Sequence, residues 1–71
     1  MDAREVVAEL RDLRIRDPFT PFVIVLNDGG RLQVNERRQF SVQLWAEGVM
    51  VERERLVRFR PADVVAIEVL Q

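Results

Sequence analysis

Residues 21–34 read PFVIVLNDGGRLQV: strand-forming residues from Phe22 to Leu26, a turn at Asn27-Asp28-Gly29-Gly30, and an alternating strand that returns. Phe22, Ile24 and Leu26 share one parity and Val23 and Val25 the other, so both faces of the first strand are apolar and both need cover. Glycine takes the positive φ of a hairpin turn without strain, and Asn or Asp tolerates it better than other residues. Leu32 and Val34 alternate with Arg31, Gln33 and Asn35, the pattern of one dry and one wet face. The spacing predicts a β-hairpin whose first strand lies inside the fold. The Gly pair is a turn and not a phosphate cradle, since no helix start follows it and neither a GxGxxG nor a Walker pattern is present.

Working towards the N-terminus, Pro18 and Pro21 stiffen a connector, with Phe19 and Phe22 placed to plug the space between a helix and the sheet. Before it, Ala3, Val6, Val7, Leu10 and Leu13 fall on one helical face. Asp2 and Glu5 have the spacing of a capping box, Arg14 and Arg16 suit the negative end of the helix dipole, and Asp12 can pair with Arg16 at i,i+4. The helix is expected to end by Asp17, because the residue before Pro18 is pushed out of the α region.

Towards the C-terminus, Glu36-Arg37-Arg38-Gln39 reads as a polar loop, and Phe40, Val42 and Leu44 alternate with Ser41, Gln43 and Trp45 as a third strand. A tight turn with Glu47 and Gly48 as loop residues would place Ala46 opposite Val49, Trp45 opposite Met50 and Leu44 opposite Val51. Trp45 and Met50 would then share a nominally wet face, as a contact surface does. A straight strand from Val49 to Phe59 would bury Arg53 and Arg55 without partners, so Glu52-Arg53-Glu54-Arg55 is expected to break it, with a fresh strand from Leu56. After a short turn at Pro61-Ala62-Asp63, Val65, Ile67 and Val69 would face inward. Val64 and Leu70 would be left over, at an edge or against a partner.

With 71 residues the chain is expected to be one domain over 1–71: helix 1–17, connector 18–21 and a barrel over 22–71. The expected class is α+β, mainly β: an N-terminal helix and a small, strongly bent antiparallel barrel of five to six strands. Burial on folding, at about 105 kcal/mol, is nearly matched by the cost of ordering the chain, so self-association is a natural source of further burial. Eleven basic residues, all arginine, face 12 acids for a net charge of −1, which does not favour nucleic acid for the chain as a whole. Without cysteine there is no disulfide, and without histidine as well a structural zinc site is not expected. The N-terminus lacks the pattern of a signal peptide and no apolar run reaches the length of a membrane span, so a cytoplasmic protein without a membrane partner is expected.

VIVLNDGGRLQV resembles the first half of the Sm motif and LVRFRPADVVAIEVL the second. More closely, PFTPFVIVLNDGGRLQV, the central Phe40 and DVVAIEV are similar to a group of short uncharacterised bacterial proteins with a PFxPFxIxLxDG-type hairpin. The Sm-like resemblance implies an SH3-like barrel and a ring of identical subunits joined by edge strands. Sm-like proteins bind RNA through an aspartate and an asparagine after strand two and through an Arg-Gly or Lys-Gly step after strand four. Here the first loop reads Asn35-Glu36-Arg37-Arg38-Gln39 and Arg60 precedes Pro61, so only Asn35 and Arg60 carry over.

For catalysis the inventory is poor. Histidine, cysteine, lysine and tyrosine are absent and the only side-chain alcohols are Thr20 and Ser41, so no catalytic residue, cofactor or metal site is assigned. The carboxylates Asp28, Glu52, Glu54 and Asp63 could meet, although acids at turns are usually solvated. Asn35, Arg37, Arg38, Arg58 and Arg60 are the candidate RNA contacts, set against acids that could neutralise the arginines in pairs. The leading expectation is a non-catalytic, self-associating interaction module with Trp45, Met50 and Leu70 at its interface. Another protein as partner and an RNA-binding ring are the alternatives.

Overall fold

The computed structural model describes residues 2–42, 48–52 and 55–70, with the side chains of 41–42, 48–52 and 55–56 outside the description. Helix α1 (Ala3–Ile15) is followed by β1 (Phe22–Leu26), β2 (Arg31–Val34), a 3-10 turn (Arg37–Gln39), β3 (Phe40–Val42), β4 (Gly48–Glu52) and β5 (Arg55–Phe59). A second 3-10 turn (Pro61–Asp63) leads into β6 (Val64–Val69). The fold is α+β, with two antiparallel sheets of order β2-β1-β6 and β3-β4-β5. Among the described residues the sheets do not close into a barrel.

Asp2 caps α1 by accepting from the Arg4 backbone N–H at 3.4 Å. The buried stripe is Val6, Leu10 and Leu13, with Ala3 and Val7 half-buried beside it. The helix stops at Ile15, and Arg16 is already extended (φ −63, ψ 135). That early exit removes the geometry for the expected Asp12–Arg16 pair, which does not form.

The 21–34 stretch forms the expected hairpin, with Phe22 opposite Val34 and Val25 opposite Arg31. Its loop is Asn27-Asp28-Gly29, closed by Gly29 N–H to Leu26 O at 3.0 Å and Leu26 N–H to Gly30 O at 2.8 Å. Gly29 sits at φ +90, the conformation that a three-residue loop ending in a bulge requires and that a side chain would strain. Phe22 and Ile24 are fully buried in the core. Val23, on the other face, is also buried; there Arg31 of β2 reaches across β1 to an ion pair with Glu68 of β6. Long side chains thus contribute to the cover of this face.

Two register expectations are corrected. In β6, Val64 is in the core and Val65 is exposed, the reverse of simple alternation. Val25 pairs with Ala66 and Leu26 with Val64, so Val65 is one extra residue in the ladder. This bulge moves Val64 onto the face of Ile67 and Val69. In the second sheet Phe40 stands opposite Met50 and Val42 opposite Gly48, so Gly48 belongs to β4 and Met50 pairs with Phe40. Leu44, Trp45 and Ala46 lie outside the described residues. The ladder position of Met50 is on the face where Phe40 and Phe59 are buried, and Val49, Val51 and Leu56 share the opposite face with exposed Arg58. Phe40 meets Phe22 edge to face with ring centroids 5.3 Å apart, which ties β3 to the core.

The core joins Val6, Leu10, Leu13, Phe22, Ile24, Val34, Phe40, Phe59 and Val64, and so draws on the helix and both sheets. Truncating Phe22 to Ala removes its central ring and is expected to lower the free energy of unfolding by about 3–5 kcal/mol in a denaturant titration. Val65→Ala, at a 50% exposed position, is expected to shift it by no more than about 0.5 kcal/mol.

Candidate functional site

The polar loop after β2 is organised by Gln39, whose Oε1 accepts from the backbone N–H of Asn35 at 2.5 Å and of Glu36 at 2.7 Å. The resulting 3-10 turn aims Arg37 at the end of α1. Its Nε donates to Arg14 O and its Nη2 to Arg16 O, both at 2.7 Å. These are carbonyls of the last helical turn and its exit, where intrahelical partners run out, so the guanidinium fork serves as a cap supplied from elsewhere in the chain. The same group lies 6.0 Å from the centre of the Phe19 ring. Arg14 in turn donates from Nε to Phe40 O at 3.4 Å, which ties the helix end to β3.

These contacts leave a shallow depression of about 610 Å³ lined by Arg14, Phe19, Asn35, Glu36, Arg37 and Arg38. It gathers three of the residues expected to contact RNA, Asn35, Arg37 and Arg38. Arg58 and Arg60 are exposed elsewhere, in β5 and at the start of the second 3-10 turn. The commitments of the gathered groups are largely internal: Asn35 Oδ1 accepts from Gln33 at 2.9 Å, and Arg38 pairs with Glu36 at 3.1 Å. Arg14 and Phe19 complete the site and were not among the sequence-derived candidates. Their available signal was position, one at a helix end and the other between two prolines, both of which the chain brings to the loop after β2.

Of the expected interface residues, Leu70 is 37% exposed at the end of β6, where its N–H donates to Pro21 O at 2.8 Å. Met50 pairs with Phe40 in the β3–β4 ladder and its side chain lies outside the description, as does Trp45 entirely. Exposed Val65 was not expected, because only the bulge turns it outward. Among the carboxylates, Asp28 Oδ1 accepts from Gly30 N–H at 2.7 Å within its own turn, and Glu52 stands opposite Arg55. Among the described residues no group of three or more Asp or Glu is placed to hold a metal ion. No described helix is long and apolar enough to cross a membrane.

Comparison of the chain with protein-family models, with curated proteins and with solved structures gives no match. Arg37→Ala is expected to destabilise the fold by about 0.5–1.5 kcal/mol, measured by thermal or denaturant unfolding, by removing two exposed hydrogen bonds to helix-end carbonyls that water then takes up. Arg37→Lys should recover only part of this, because an ammonium cannot present the same two-pronged donor; full recovery would reduce the interaction to charge alone.

Proposed function

We propose that this protein is a non-catalytic, self-associating interaction module, a bent small barrel whose exposed sheet edge joins it to further copies of itself. The observation that carries this reading is β6. Its ladder to β1 leaves the other side of the strand unpaired among the described residues, and Val65 and Leu70 are exposed along it. An edge strand with uncovered apolar side chains is a template for pairing unless something covers it. The bulge at Val65 blunts only the start of the strand, so the segment from Ile67 onward keeps a regular edge. Val49, Val51 and Leu56, placed by register on the outer face of the second sheet, add apolar positions to the same account.

An RNA-binding ring is the second reading, favoured by the gathering of Arg14, Arg37, Arg38 and Asn35 beside the Phe19 ring. It is weaker because Arg37 is engaged as a helix cap and Arg38 and Arg31 are paired with Glu36 and Glu68. RNA contacts of this kind would also have to compete with those internal partners.

Native mass spectrometry or light scattering at low salt is expected to give a closed multiple of the 8.3 kDa chain. Val65→Lys combined with Leu70→Lys should leave the circular dichroism and unfolding midpoint close to those of the parent and shift the mass toward the monomer. A parent protein that stays monomeric up to high micromolar concentration would overturn the reading. Co-purifying RNA that is released by moderate salt would promote the second one.

A further inference from the structure

On α1 the core stripe of Val6, Leu10 and Leu13 separates two flanks of opposite charge. At 100° per residue, Glu5, Glu9 and Asp12 fall in one band and Arg4, Arg11 and Arg14 in another, centred about 140° away. Every charged pair at i,i+3 or i,i+4 within the helix is therefore a like pair: Glu5 with Glu9, Glu9 with Asp12, and Arg11 with Arg14. Each such pair costs an isolated helix about 0.2–0.5 kcal/mol. The helix dipole accounts for Glu5 in the first turn and Arg14 in the last but not for Arg4 in the first turn or Asp12 near the last. No residue of either flank forms an ion pair among the described residues.

Each flank continues onto the body of the protein. The basic flank runs through Arg14 into the depression with Arg37 and Arg38, where three guanidinium groups meet one carboxylate, Glu36. The acidic flank borders a second depression, of about 470 Å³, where Glu5, Glu9 and Asp12 meet one guanidinium, Arg16. Ala8, Leu13 and Val69 give this second depression an apolar floor next to β6. Ile15, 73% exposed, lies next to the basic flank and is the most exposed large apolar side chain among the described residues. The two surfaces are opposite in sign and equal in charge count, with a knob on one and an apolar floor in the other.

We propose that the partner of α1 is a second copy of this chain, whose basic flank and Ile15 seat on the acidic flank and its Ala8–Val69 floor. The contact joins two different patches, so repeated use gives a head-to-tail assembly that closes into a ring if the rotation permits. Fixed opposite charges set its register and speed encounter, and the apolar knob supplies the desolvated anchor. This inference rests on the self-association reading and specifies which surfaces carry it.

The test uses two full-length variants, one with Glu5→Lys, Glu9→Lys and Asp12→Lys, the other with Arg4→Glu and Arg11→Glu, each checked for folding by circular dichroism. Each alone should need about tenfold more protein, or greater, to assemble, because it presents like charge to like charge. Their equimolar mixture should regain the parent mass, and Ile15→Ser in the parent should weaken assembly with no loss of fold. If a triple variant does not fold, Glu9→Lys and Arg11→Glu serve as the mixing pair. A parent that assembles while both variants assemble equally well, or folded variants whose mixture stays dissociated, would overturn the flank contact and leave self-association through β6 intact. A monomeric parent would overturn both.

Discussion

Phe22 is completely buried where the connector, the helix and both sheets come together, and the remaining structure depends on filling that place. Its ring touches Phe19 on one side, with centroids 5.9 Å apart, and Phe40 on the other. A short chain has few large side chains to spend, and three of its four phenylalanines form this single contact series. The series explains why β3 shows the face it does, and through the β3–β4 ladder it sets the face of Met50 and of Val49 and Val51.

Around this centre, small backbone adjustments have large consequences. One additional residue in β6 transfers Val64 to the core and Val65 to the surface, so the bulge decides which valine the edge strand exposes. The end of α1 at Ile15 leaves carbonyls that Arg37, some twenty residues further on, then caps. Arg37, which looks like part of a nucleic-acid surface in the sequence, thus acquires a structural duty. The like-charge pairs of α1 and the edge of β6 that is unpaired among the described residues are the two features on which the proposed self-association rests.

The hairpin at 21–34, the helical stripe, the break near Glu52–Arg55 and the turn at Pro61 were legible because each is dictated by local chemistry. Alternation, glycine at positive φ, proline and the dislike of burying arginine act over a few residues, and no competing tertiary contact opposed them. The candidate site was legible only in part. Asn35, Arg37 and Arg38 are adjacent in sequence and were found together, whereas Arg14 and Phe19 join them solely because the helix end packs beside the loop after β2.

What the sequence alone determined, then, is the order and type of the elements, because those follow from periodicity and turn chemistry within the span of each element. What only the tertiary structure decided is register and allegiance: which valine of β6 is inside, which residue Met50 opposes, and whether Arg37 addresses solvent or a helix end. The physical reason is that a shift of one residue along a strand costs little in local propensity yet exchanges the two faces of the sheet. Only the packing of Phe22, Phe40, Phe59 and Val64 into one core selects between the alternatives.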